Sequence, residues 1–262
     1  FPPLDQRSDV AEPVHRDPPP DVRQRDRQQL RLPLDLGRAF WQARAIWKHA
    51  KNITPAVLLV GGWYDVEDPY GMLRLNRSLQ ENSKSTKQMF VVGPWSHGGW
   101  NRADFPTFGA FTNGSPTGKF FRDSIGAPAF RCLLKDDCTG QTFGGALVFE
   151  AGTNQWRRFD AWPPKAATSR ALYLRENGRV AFEAPGNAQS RNGTPATFAD
   201  RYVSDPAKPV PYVPRPVRFA DGDRWKTWLV TDQRAFADRT DVLTYTTAPL
   251  DKPLTIAGVP KV

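Results

Sequence analysis

The sequence predicts an α/β sheet domain followed by an all-β sandwich of the jelly-roll type. Two observations carry this. Between residues 55 and 94, two short apolar runs, each closed by glycine, flank a stretch with helical periodicity. Beyond residue 140 the pattern changes to many short apolar runs separated by turn residues, as in antiparallel sandwiches. A length of 262 residues accommodates two such parts.

Residues 1–38 stand apart. They are rich in Pro, Arg and Asp, include the triplet Pro18–Pro20 and follow neither a helical nor a strand period, so they read as a disordered or foreign tail. From Phe40 to His49, Phe40, Ala43 and Trp47 fall at helical spacing and predict a helix. Pro55–Val60, closed by Gly61 and Gly62, reads as a buried parallel strand. Tyr70–Leu79 predicts a helix with Met72, Leu73, Leu75 and Leu79 on its apolar side, and Met89–Val92 predicts the next strand. Strand, helix and strand in this order make a βαβ unit with parallel strands. Phe120–Leu134 predicts a helix that Pro128 kinks or splits. The expected strands of the second part are Ala146–Phe149, Trp156–Phe159, Arg170–Leu174, Val180–Phe182, Trp225–Val230, Val242–Tyr245 and Leu254–Ile256, with 185–220 as a long connection. The expected divisions are therefore 1–38, 39–140 and 141–262.

Composition narrows the function classes. The chain is 39% apolar and 12% aromatic, which supports a packed core, and no run of 18 apolar residues exists to form a transmembrane helix. Two cysteines and three histidines leave little room for a metal centre, so no metal or cofactor is expected. The net charge of +9 comes from Lys and Arg spread along the chain among acids, as in Arg157-Arg158-Phe159-Asp160. It reads as a solvated surface rather than a nucleic-acid stripe; neither nucleic acid nor membrane is an expected partner. Cys132 reads as a small core residue on an apolar helix face, in preference to a disulfide with Cys138.

In open α/β sheets, ligands bind beyond the carboxyl ends of the strands. The first strand exits into Gly61-Gly62-Trp63-Tyr64-Asp65-Val66-Glu67-Asp68, the second into Gly93-Pro94-Trp95-Ser96-His97. An acid after one strand and a histidine after the next is the order of the last two members of a Ser–Asp–His triad on an α/β-hydrolase sheet. The histidine takes the nucleophile's proton, and the acid orients the ring and stabilises the imidazolium.

Gly61–Asp65 together with Gly93–His97 resembles the family of X-prolyl dipeptidyl peptidases, cocaine esterase and α-amino acid ester hydrolases. Phe149–Pro164, Asp232-Gln233-Arg234 and Asp238–Tyr245 resemble its C-terminal jelly roll. The resemblance covers about 40–258 and leaves residues 1–38 unmatched. It implies Asp65 as triad acid and His97 as base. Asp65-Val66-Glu67-Asp68-Pro69-Tyr70-Gly71 matches the ester-hydrolase pattern in which the two following acids hold the substrate's α-ammonium, which implies Glu67 and Asp68 as substrate-binding. Asp68 also suits an N-cap with Pro69 at the first helical position. Trp63, Tyr64 and Trp95 flank the two loops; they either line an aromatic acyl pocket or pack beneath the loops.

No Gly-x-Ser-x-Gly elbow occurs in these residues. The expectation is a fragment of a serine hydrolase, both domains incomplete, with the nucleophile elsewhere and the isolated chain inactive. The substrate is expected to be a small ester or amide, of α-amino acids first and X-Pro dipeptides second. The rival reading is an inactive remnant whose β-sandwich is a binding or assembly module. The resemblance leaves a homo-oligomer open, and the location open between periplasmic or secreted and cytoplasmic.

Overall fold

A computed structural model describes residues 34–65, 67, 69–84, 86–102, 104–140, 143–186, 199–211 and 227–258. The chain divides into two units, Phe1–His49 and Ala50–Val262.

In the first unit, helix α1 spans Leu34–Ala43 and a 3₁₀ turn spans Ile46–Lys48. The helix predicted over 40–49 thus starts earlier and breaks earlier. The sequence has proline at 33 and none within 34–43, so nothing bars a helix from Leu34. At its end, Arg44 and Ala45 donate their backbone N–H groups to Trp41 and Gln42, three residues back, which tightens the last turn. The expected inward stripe does not form: Phe40 and Ala43 are exposed. The guanidinium of Arg44 lies 3.6 Å from the Phe40 ring centre.

The second unit is built on a four-stranded sheet in which the strands 57–62, 88–93, 145–150 and 155–159 lie side by side in that order. Strands β1 (Val57–Gly62) and β2 (Gln88–Gly93) are parallel and in register, with Gly62 beside Gly93. Helix α2 (Pro69–Asn82) connects them, so the βαβ unit read from the sequence forms. Successive residues of β2 serve opposite faces, as strand geometry requires. Phe90 and Val92 join Met72, Ala146, Val148 and Trp162 on the face covered by α2. Met89 and Val91 join Trp95, Phe121, Ile125 and Leu147 on the other face. Helix α3 (Gly99–Arg102) follows β2, and a small hairpin follows it, formed by β3 (Thr107–Phe108) and β4 (Phe111–Thr112). Helices α4 (Thr117–Phe121) and α5 (Ala127–Lys135) are joined by a π-helical stretch, Arg122–Gly126. The split expected at Pro128 takes this form: the proline has no N–H for the ladder, and the turns before it widen.

The next strands correct the sequence reading. β5 (Gly145–Glu150) pairs parallel with β2, and β6 (Gln155–Phe159) returns antiparallel to β5. Both were expected in the sandwich, yet they join the sheet of β1 and β2. The fully buried run Ala146–Phe149 suits a strand covered on both faces. Further on, β7 (Tyr173–Arg175) and β8 (Arg179–Ala181) form an antiparallel hairpin. Its turn holds Asn177 and Gly178 at φ of 58° and 64°, a conformation those residues tolerate best. Arg179 makes a single bridge to Thr246.

Three expected strands are not seen. Thr227–Val230 is a 3₁₀ turn, with Trp225 and Lys226 outside the described residues. Val242–Tyr245 and Leu254–Ile256 are irregular. Leu243, Leu254 and Ile256 are exposed, and an apolar run becomes a strand only when a neighbouring strand satisfies its backbone. The fold class stands: a parallel α/β sheet followed by antiparallel β structure. Cys132 and Cys138 are bonded, correcting the reading of Cys132 as a reduced core residue. The bond closes the end of α5, where Asp136 turns into the left-handed region at φ 55° and brings position 138 back toward position 132.

Candidate active site

Because β1 and β2 are parallel and in register, their carboxyl ends open at one edge of the sheet. Their exits are laced by main-chain bonds: Trp63 N–H donates to Gly93 O at 2.9 Å and Tyr64 N–H to Trp95 O at 3.0 Å. Two glycines make this approach feasible. A Cβ on Gly62 would stand 2.1 Å from Trp95 O, and one on Gly61 would stand 1.8 Å from Met72 Sδ.

This frame brings Asp65 and His97 together. His97 Nδ1 lies 3.0 Å from Asp65 Oδ2. The second carboxylate oxygen, Oδ1, accepts the backbone N–H of Glu67 at 2.9 Å. Both oxygens of a buried carboxylate are therefore engaged, as burial of an ionised group demands. The His97 side chain is 44% exposed and the Asp65 side chain 6%, so the ring is open to solvent where the acid is not. Such a pair can hold an imidazole in one tautomer and stabilise its protonated form.

Glu67 is exposed, and its Oε2 lies 3.7 Å from His97 Nδ1. The structure thus gathers Asp65, Glu67 and His97. Asp68 lies outside the described residues; α2 begins at Pro69, where the sequence reading set the first helical position.

The three aromatic candidates separate. Trp95 is 0% exposed and donates its indole N–H to Thr117 Oγ1 at 3.0 Å. Its ring is surrounded by Trp100, Phe121 and Trp156. Of the two readings open for Trp95, the structure shows the second: it packs beneath the loop that carries His97 and does not line a pocket. Trp63 donates to Phe149 O at 2.9 Å and tilts against Trp162, so it ties the acid-bearing turn to β5. Tyr64, half-buried, stacks on Phe108 and Phe111 with interplanar angles of 20° and 5°. Burial pushes its phenol above its ordinary value.

Sequence reading did not find Phe108, Phe111 or Thr117. Phe108 and Phe111 flank a two-residue turn containing Gly109 at φ 56°, the one local hint of a hairpin. Among the described residues no group of three or more His, Cys, Asp or Glu could hold a metal ion, and no helix is long and apolar enough to cross a membrane.

Residues 16–99 match the model of the X-Pro dipeptidyl-peptidase (S15) family, and residues 141–262 that of the X-Pro dipeptidyl-peptidase C-terminal non-catalytic domain. The first match reaches well into the stretch 1–38 that the sequence reading had set apart as unmatched. The cocaine esterase of Rhodococcus sp. (strain MB1 Bresler) is 27% identical over 226 residues, covering 83% of this chain and 36% of the esterase. The crystal structure of an aminopeptidase from a marine sediment Thaumarchaeota archaeon superposes with a TM-score of 0.70 at 40% identity, over 80% of this chain and 34% of that one. A selenomethionine-labelled α-amino acid ester hydrolase superposes with a TM-score of 0.74 at 36% identity, over 90% of this chain and 39% of that one. The chain thus spans a little over a third of the length of these relatives.

Proposed function

We infer the function from a fixed premise: the chain belongs to the X-Pro dipeptidyl-peptidase (S15) family of α/β-hydrolases. On that footing it contributes the acid and base of a serine-hydrolase triad that cleaves esters or amides, those of α-amino acids first, through an acyl-enzyme. The 3.0 Å pairing of Asp65 with His97, at the carboxyl ends of adjacent parallel strands, carries this reading.

The proposed chemistry follows from that pairing. With Nδ1–H donated to Asp65, Nε2 is the ring nitrogen that takes the proton of the serine hydroxyl as it attacks the carbonyl. Nε2 then returns that proton to the leaving alcohol or amine. Water repeats the sequence to release the acid. The 262 residues contain no Gly-x-Ser-x-Gly, so the nucleophile and oxyanion donors come from sequence outside them. Glu67 beside the dyad, and Asp68 next in sequence, take the substrate's α-ammonium by charge-assisted hydrogen bonds. The half-buried face of Tyr64 meets the acyl group. Residues 141–262 serve as the family's non-catalytic C-terminal part.

The test compares the 262-residue chain with a longer form carrying the serine elbow, on phenylglycine methyl ester and on an X-Pro p-nitroanilide. The longer form is expected to turn over the ester with a burst of methanol, and the isolated chain neither compound. Preference for the anilide would move the substrate to X-Pro dipeptides. Ordinary turnover by the isolated chain would sink the proposal that the nucleophile lies elsewhere.

A further inference from the structure

We propose that Glu67 is a positioning residue for His97: a second carboxylate that favours positive charge on the imidazole without sharing its hydrogen bond. The proposal rests on reading His97 as the base, and goes beyond an ammonium-binding role for Glu67.

The geometry separates two tasks of residue 67. Its backbone N–H, at 2.9 Å from Asp65 Oδ1, fixes the plane of the acid. Its side chain faces the ring. Nδ1 carries one N–H, which Asp65 Oδ2 accepts at 3.0 Å. Glu67 Oε2 at 3.7 Å is outside hydrogen-bond range and within ion-pair range, so it acts on the ring by charge alone. Asp65 and Glu67, both from the turn after β1, are the carboxylates that the described residues bring within 4.0 Å of the ring; Asp68 stays unchanged in every variant below. The Asp65 side chain is 6% exposed and that of Glu67 54%. Water therefore screens Glu67 far more, and its effect on the ring is the smaller of the two.

Because the first task belongs to the main chain, Glu67→Gln removes only the second. The test uses the longer form carrying the serine elbow, on a neutral ester such as p-nitrophenyl acetate, which offers no ammonium for Glu67 to bind. Asp65→Asn is expected to lower kcat by about 10³-fold and Glu67→Gln by about 2–5-fold, with KM unchanged in Glu67→Gln. The Glu67→Gln loss should shrink at about 0.5 M salt, as an exposed charge interaction does. Glu67→Asp, which keeps the charge, should stay closer to the wild-type kcat than Glu67→Gln. An unchanged kcat in Glu67→Gln, or an equal loss in Glu67→Asp, would overturn the proposal. Failure of the base reading is seen separately: the longer form carrying His97→Ala would retain turnover whatever the Glu67 variants do.

Discussion

Trp95 hands its indole N–H to Thr117 at 3.0 Å, across 22 residues, inside a core that water does not reach. Thr117 in turn donates its hydroxyl O–H to Phe105 O at 3.0 Å. The loop that carries His97 is therefore hung from the helix behind it. Thr117→Val keeps the shape and removes both bonds. It should cost about 1–3 kcal/mol, the penalty for a buried donor left without a partner, while Thr117→Ser should recover most of it. Urea unfolding of the three proteins decides this; equal midpoints for wild type and Thr117→Val would remove the tether.

The Asp65–His97 pair predicts non-additive kinetics. In a longer form with the serine elbow, Asp65→Asn and His97→Ala should each lower kcat by about 10³-fold or more. The double mutant should be little worse than either single mutant, since the two act as one unit. Near-wild-type single-turnover rates from either variant would take that residue out of the triad.

Gly61 and Gly62 are predicted to differ when changed to alanine. A Cβ on Gly61 meets the sulfur of Met72, the far part of a flexible side chain, whereas one on Gly62 meets the backbone oxygen of Trp95. Gly61→Ala should cost about 1–3 kcal/mol, and Met72→Ala should relieve part of that loss. Gly62→Ala should cost more and gain nothing from Met72→Ala. Thermal denaturation of the four variants checks the ranking; the reverse order would mean that the two strand exits are not held at this separation.

Glu150 offers a pH-dependent prediction. Arg157 Nε and Thr153 Oγ1 each lie 2.8 Å from its Oε2, and Thr255 Oγ1 lies 3.2 Å from its Oε1. Arg157 first, then Thr153, hold the carboxyl below its ordinary value of 4.5. A depressed folded value contributes stability above the unfolded one, and loses it as pH falls through the folded value. Glu150→Gln should therefore lower Tm at pH 7, with the gap closing as pH drops below the usual carboxylate range. A gap that stays constant down to about pH 2 would show that the carboxylate's charge is not involved.

The sheet around the site was legible because its signals are local. The continuous apolar runs Pro55–Val60 and Met89–Val92, each closed by glycine and joined by a stretch of helical period, suit neighbouring parallel strands covered on both faces. Asp65 and His97 then meet because both follow strands that share a register. What was not legible depends on partners distant in sequence. The apolar run Ala146–Phe149 suits a parallel sheet or a sandwich equally, and only its pairing with β2 decides. Trp95 follows its strand as closely as His97 does, yet it turns inward to reach Thr117. Tyr64 carries no mark of the phenylalanines more than forty residues away on which it stacks. Val242–Tyr245 has strand composition, yet among the described residues the edge of β8 is met there by a single bridge, from Arg179 to Thr246.

The position of β5 bears on how such proteins can be taken apart. One family model ends at residue 99 and the other begins at 141, a gap that looks like a seam. Yet β5 lies beyond the gap and against β2, before it. Cutting the chain near 140 would strip the inner strand of its neighbour and expose Val91 and Val92, both fully buried. Recombination at that point would not exchange a module. It would join a foreign β5–β6 hairpin to a resident β2, so such an exchange keeps the sheet only where the incoming β5 matches the β2 it must pair with.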